Sequence, residues 1–186
     1  MKFIKDPVHG YIEVKTGMEK FLDSLPLQRL RHIRQLGFAY LVYPGANHSR
    51  FEHSLGTMHL ASLMCRNFDM DEEVSRIVTV AALLHDCGHG PFSHATEAFM
   101  KEYTGRGHEQ IEYLLTSEPL MSLLEDASIN PNEIGEILEG RHPLSTIIHG
   151  DLDVDRMDYL LRDAHYTGVP YGTVDAQRLI QNILLS

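Results

Sequence analysis

The sequence predicts an all-α domain, a helical bundle with a small β-hairpin at its N-terminus. Three observations carry this expectation: apolar residues recur at helical spacing along most of the chain, prolines stand at or near several segment starts, and only the N-terminal stretch reads as a hairpin. The chain has 186 residues, 43% apolar and 23% charged, which suits one soluble core. No repeat, low-complexity tract or linker marks a boundary, so residues 1–186 are expected to form a single domain.

In order along the chain, "FIKDPVHGYIEV" alternates apolar and polar residues around Pro-Val-His-Gly and predicts the hairpin. Residues 26–35 predict a helix through Leu27, Leu30, Ile33 and Leu36, and residues 37–48 an irregular connection with a strand-like start and a Pro-Gly turn. A long helix is expected from about Ser49 to Phe68. The next begins near Asp71, where Asp71 and Glu72 suit the positive end of a helix, and becomes apolar on every side at "IVTVAALL", as a bundle-centre helix does. Further helices are expected at 93–103, 107–117, 118–126, 131–139, 151–165 and 173–185, with Pro119, Pro131 and Pro143 at or near starts.

The net charge of −10 opposes binding to double-stranded nucleic acid, which needs clustered Lys and Arg. No apolar run approaches the roughly 18 residues of a membrane span, and the N-terminus lacks a signal-peptide core, so the protein is expected in the cytoplasm. Cys65 and Cys87 read as reduced, packed thiols. Twelve histidines are many for this length, and histidine is both a metal ligand and the side chain that titrates near neutrality.

The chemistry concentrates in "AALLHDCGHGPFSH". A buried helix delivers His85 and Asp86 into the interior at its last turn, where an unpaired carboxylate is costly and a cation relieves that cost. Gly88, Gly90 and Pro91 then stop the helix and turn His89 and His94 back toward the same point as proton donors. Taken alone, a His–Asp dipeptide is more often a satisfied core pair than a metal site. Further ligands must come from other helices: His53 in "SRFEHSLG" is one candidate, and "DLDVDRMDYLLRDAHYTG" offers others. In that last segment Val154, Met157, Leu160, Leu161 and Ala164 form one stripe. Asp155, Asp158, Tyr159, Arg162 and Asp163 form another, whose ordinary reading is a solvated face with an Asp–Arg pair, although Tyr159 and the number of carboxylates argue mildly against that.

The blocks "DPVHGYIEV", "QRLRHIRQLGFAYLVYPGANHSRFEHSLG", "HDCGHGPFSH", "GHEQ" and "DVDRMDYLLRDAHYTG" together resemble the HD-domain metal-dependent phosphohydrolases. The resemblance is closest to the SAM- and HD-domain deoxynucleoside triphosphate triphosphohydrolases and their prokaryotic relatives, in order and spacing from Asp6 to about Leu185. It implies an enzyme with His53, His85, Asp86 and Asp155 around one divalent transition metal; the ligand types suit Mn, Fe, Ni and Zn, and Mg can accompany the nucleotide. Hydrolysis at the α-phosphorus of a deoxynucleoside triphosphate (dNTP) then gives a deoxynucleoside and triphosphate.

The resemblance also implies acid–base roles for His89, His94 and His108, with Glu97 orienting one of them where an Asp is familiar. It implies phosphate contacts from Arg50 and from Arg156, which stands where a Lys is familiar, and sugar or base contacts from Gln35, Leu36, Tyr159, Asp163 and Tyr166. Asp23, Gln28 and Arg31 match positions that bind a regulatory guanine nucleotide between subunits, with Lys5 in place of an Asn, which brings a homo-oligomer into the expectation. The family commonly continues for several hundred residues into an α/β part, so this chain corresponds either to the N-terminal part of a longer protein or to a short form. Two other readings stay open: a nucleotidase or phosphomonoesterase on the same site, and a non-catalytic nucleotide-binding regulatory module.

Overall fold

The computed structural model describes residues 2–92 and 94–183, with the side chain of His94 outside the described residues. It is an all-helical bundle carrying one two-stranded antiparallel sheet among the described residues. Strands β1 (Lys2–Asp6) and β2 (Gly10–Val14) pair with Ile4 opposite Ile12. Helices α1 (Met18–Leu22), α2 (Leu25–Gln28), α3 (Arg50–Asn67) and α4 (Glu72–Leu84) follow. Then come α5 (His94–Thr104), α6 (Glu112–Leu115), α7 (Leu120–Asp126), α8 (Pro131–Leu138), α9 (Ser145–Ile148), α10 (Val154–Thr167) and α11 (Ala176–Asn182).

Helix α3 lies at the centre, with α4 and α10 packed on it. Its start is fixed by the Glu52 carboxylate, which accepts from the Ser49 backbone N–H at 2.5 Å, one of the donors a helix start otherwise leaves unpaired. Helix α4 is capped by Asp71, whose side chain accepts from Val74 N at 2.9 Å. Its residues from Ile77 to Leu84 are buried all round, as "IVTVAALL" predicts, and each large apolar side chain there contributes about 1.5–3 kcal/mol on burial. One apolar cluster runs from Ile12 on the hairpin to Ile180 on α11, and it includes both free cysteines.

Several local expectations are corrected. The helix expected over 26–35 stops at Gln28 and tightens into a 3-10 turn, Arg29–His32; Ile33 is extended. The cause is tertiary: Arg50 N donates to Ile33 O at 2.8 Å and Gln35 N to His48 O at 3.0 Å, so this backbone pairs with the entrance of α3 instead of with itself. The same pairing carries Gln35 to the pocket described below. The strand-like start expected after residue 37 is a 3-10 turn at Ala39–Leu41, and the helix expected over 107–117 shrinks to Glu112–Leu115. The helix expected over 173–185 is α11, and residues 184–186 lie outside the described residues.

Helix α10 decides between two readings that its residues alone left open. Its acidic face is not a solvated surface: Asp158 and Arg162 are fully buried, while Leu160, Leu161 and Ala164 are only half-buried. The polar stripe faces α3, and Gly56 on α3 makes room for it, because a Cβ there would overlap Asp158 Oδ1 and crowd the Arg162 guanidinium.

Candidate metal centre and its pocket

Three helix ends meet at one point. The last turn of α4 runs into a 3-10 turn, His85–Gly88, that sets His85 and Asp86 inside the bundle; the first turns of α3 and α10 bring His53 and Asp155 against them. His53 Nε2 stands 3.2 Å from His85 Nε2, 3.9 Å from Asp86 Oδ2 and 2.9 Å from Asp155 Oδ1. His85 Nε2 stands 3.5 Å from Asp86 Oδ1 and 3.8 Å from Asp155 Oδ1. Donors about 2.1 Å from one ion lie roughly 3.0–3.4 Å apart when adjacent and about 4.2 Å apart when opposite, so spacings of 2.9–3.9 Å are close to those of donors around one ion. His53, His85 and Asp86 are buried, and Asp155 keeps part of its carboxylate at the mouth.

The hydrogen bonds behind the rings fix which nitrogen faces inward. His85 Nδ1–H donates to Ala82 O at 2.7 Å, and His53 Nδ1–H donates to Asp158 Oδ2 at 2.7 Å. In the neutral rings both lone pairs therefore sit on Nε2, face to face, which is unfavourable unless a cation or a proton stands between them. The donor set of two imidazoles and two carboxylates fits a divalent transition ion.

The electrostatics agree. Burial opposes a charge on His53, but hydrogen bonds with Asp155 and Asp158 outweigh it and push its pKa up to about 10, so a proton stands in for the cation. Burial likewise opposes ionisation of Asp86, yet His85, Arg50 and His53 overcome it and hold the carboxyl well below the usual range. Asp155 is also lowered: burial works against its charge, and the hydrogen bond from His53 prevails.

Beside the cluster lies a cavity of about 150 Å³ lined by Gln35, Arg50, His89, His108, His149 and Tyr159 together with the four metal-type residues. Arg50 is buried and its Nη1 donates to Asp86 Oδ2 at 2.7 Å. The His89 and His108 rings stack at 4.0 Å, and His108 Nδ1–H donates to Glu97 Oε1 at 2.9 Å. Gly88 allows this approach, since a Cβ there would run into the His108 carbonyl. A larger cavity of about 640 Å³, between β2, α1, α4 and α7, contains none of these groups.

The remaining candidates stand elsewhere. Leu36, Arg156, Asp163 and Tyr166 are not among the residues lining the cavity. Arg156 is exposed and its Nη1 donates to Asp151 O at 3.2 Å. Asp163 accepts from His48 Nε2 at 2.7 Å, and Tyr166 stacks on His48 and reaches Glu52 at 3.3 Å, forming a second cluster along α10. Among the regulatory candidates, Gln28 Nε2 donates to Leu22 O, Arg31 Nε donates to Gln28 Oε1 while its guanidinium lies over Phe51, and Lys5 lies over Tyr11. Asp23 is exposed.

Sequence reasoning did not single out His149, His48, His9 or the inward role of Asp158 and Arg162. The excess of histidines, and the place of His9 and His48 inside two of the quoted blocks, were the signals that more of them belonged near the site.

Comparison with known proteins bears on the family and the fold. The family model described as "HD domain" matches residues 50–163. An uncharacterized protein of Methanocaldococcus jannaschii is 42% identical over 98% of this chain and 38% of its own length. The deoxynucleoside triphosphate triphosphohydrolase SAMHD1 of Gallus gallus is 33% identical over 97% of this chain and 36% of its own. The crystal structure of a phosphohydrolase from Bacteroides thetaiotaomicron superposes with a TM-score of 0.84 at 36% identity, over 97% of this chain and 45% of that one. The chain thus spans less than half the length of these three relatives.

Proposed function

The chain belongs to the HD domain family, and we propose that it is a metal-dependent phosphohydrolase acting on nucleotides, with a dNTP as substrate. The observation that carries this reading is the convergence of His53, His85, Asp86 and Asp155 beside a pocket holding Arg50, His89 and His108. The likeness to a dNTP triphosphohydrolase over nearly the whole of this chain supports the substrate class.

A bound Mn, Fe, Ni or Zn ion supplies Lewis acidity to a phosphoryl oxygen and lowers the pKa of water. The side chains do the rest. Arg50 offers a guanidinium to the phosphoryl charge. His89 and His108 are assigned the acid–base work at the leaving oxygen, with Glu97 accepting from His108 Nδ1–H and orienting its ring, and His94 is assigned to the same set. In the overall reaction water adds to the α-phosphorus, the bond from phosphorus to O5′ breaks, O5′ gains a proton, and the products are deoxynucleoside and inorganic triphosphate. Arg156 is assigned with Arg50 to the phosphates, Gln35, Leu36, Tyr159 and Asp163 to the sugar and Tyr166 to the base side, and Mg would accompany the nucleotide.

Residues 1–186 are read as one HD domain, cytoplasmic and homo-oligomeric, with Asp23, Gln28, Arg31 and Lys5 offered to a guanine nucleotide. No described helix is long and apolar enough to cross a membrane. The cavity of about 150 Å³ suits a single phosphoryl group, which favours a second reading as a nucleotidase or phosphomonoesterase.

The test is chromatography of products from dNTPs with the metal-loaded protein and its His85→Ala variant. Deoxynucleoside and triphosphate, lost in the variant, are expected. Free phosphate from nucleotides would select the second reading. Metal-loaded protein that hydrolyses neither would make the domain a nucleotide-binding module.

A further inference from the structure

The block "DPVHG" lies at the tip of the hairpin, outside the pocket, and yet its side chains end directly behind the metal cluster. His9 Nε2 lies 2.5 Å from Asp158 Oδ1, across 149 positions of sequence, and its side chain is almost fully buried. The other oxygen of that carboxylate accepts from His53 Nδ1–H at 2.7 Å. A chain of two hydrogen bonds therefore joins the hairpin tip to the ring of a metal-type histidine.

We propose that His9 is a positioning residue of the metal centre, holding Asp158 in the orientation that keeps His53 Nε2 turned toward the ion. The inference rests on the metal reading above. Its physical basis is a shortage of donors. Two buried carboxylates, Asp158 and Asp6, share one buried guanidinium: Arg162 gives Nε–H and one Nη2–H to Asp158 at 2.9 Å each, and Nη1–H to Asp6 Oδ2 at 2.8 Å. The second oxygen of Asp6 is occupied by the backbone N–H groups of Val8 and His9, at 2.9 and 2.8 Å. Arg162 is thus held by both acids, and His9 Nε2–H supplies the further donor that fills the Asp158 carboxylate. Groups behind a metal-bound histidine set its tautomer and ring angle, and removing one weakens metal binding about 10–100-fold.

Co(II) alone is the probe, titrated into the full chain and followed by its visible absorption, with folding checked by circular dichroism. His9→Leu keeps the bulk and removes the donor. His9→Gln places an amide N–H where Nε2 stands, whereas His9→Asn reaches only as far as Nδ1. The expected result is a loss of Co(II) affinity of about tenfold or more in His9→Leu and His9→Asn, with an altered absorption band, and recovery to within about threefold of wild type in His9→Gln. Affinity and spectrum like wild type in either folded donor-less variant would overturn the inference and leave the metal reading standing. Failure of the wild-type protein to bind Co(II) would sink both. Unfolding of His9→Leu and His9→Asn beside a folded His9→Gln would assign His9 a purely structural role and also overturn it.

Discussion

His53 Nε2 and His85 Nε2 face each other at 3.2 Å inside the bundle, each with its Nδ1–H committed behind the ring, to Asp158 and to the Ala82 carbonyl. Two imidazoles locked in this way have one inward lone pair each. The arrangement is favourable only with something positive between them, and the nearby Asp86 and Asp155 add negative charge to the same point.

Metal binding is therefore expected to displace the His53 proton. That proton is held up to a pKa of about 10, because hydrogen bonds with Asp155 and Asp158 outweigh the burial that opposes it. Lower pH favours the proton over the ion, so affinity should rise with pH, by about tenfold per unit for one proton released. Calorimetry of Mn(II) or Co(II) binding in buffers of differing ionisation enthalpy measures the proton count. A value near zero would contradict this account.

Arg162→Met should destabilise the fold strongly. It leaves Asp6 and Asp158 buried beside each other without their shared cation, a loss of about 3–5 kcal/mol. Urea unfolding gives the number, and a change below about 1 kcal/mol would mean the two acids find other partners.

Gly56→Ala tests the same region by steric means. Its Cβ would overlap the Asp158 carboxylate, so either α3 and α10 separate or the buried ion pair is displaced. A loss on the order of 2–4 kcal/mol, in the range of other core disruptions, is expected from the thermal midpoint. Wild-type stability would show that the helices yield easily there.

Acid should weaken the fold partly through His59. Burial, aided by the neighbouring His9, lowers its pKa from 6.5 to about 4. An unfolded chain takes up that proton near pH 6.5 and the folded one only near pH 4. This contribution is thus intact above pH 6.5 and lost as pH falls through the window to about 4. Thermal midpoints of His59→Gln, compared with wild type across pH 4–7, should fall less steeply. Parallel curves would exclude His59 as a source.

Both thiols should resist alkylation in the native state. Burial pushes Cys65 up to about 11 and Cys87 up to about 12, and both are enclosed in the core. Thiol labelling should then occur only at the rate of unfolding, and fast labelling without denaturant would argue against this packing.

Much of this was legible in the sequence because it depends on neighbours close along the chain. The periodicity of "IVTVAALL" made α4 a buried helix, Asp71 marked its start, and the polar pair at its end could only be directed inward. His53, His85, Asp86 and Asp155 were nameable once "HD" was read with the blocks on either side of it. Residues 26–35 misled for the opposite reason: their apolar spacing is helical, but their backbone partners at 48–50 are brought there by the fold.

What the sequence by itself determined is the long helices α3, α4 and α10 and the chemical types available at their ends, since local propensity and apolar spacing act over a few residues. The tertiary structure decided which polar groups share the interior. Asp158 and Arg162 could have faced water, and nothing local distinguishes a solvated acidic stripe from a buried one. Only the close passage of α10 over Gly56, with the hairpin tip closing behind, removes water from that stripe and makes Arg162 and His9 its partners.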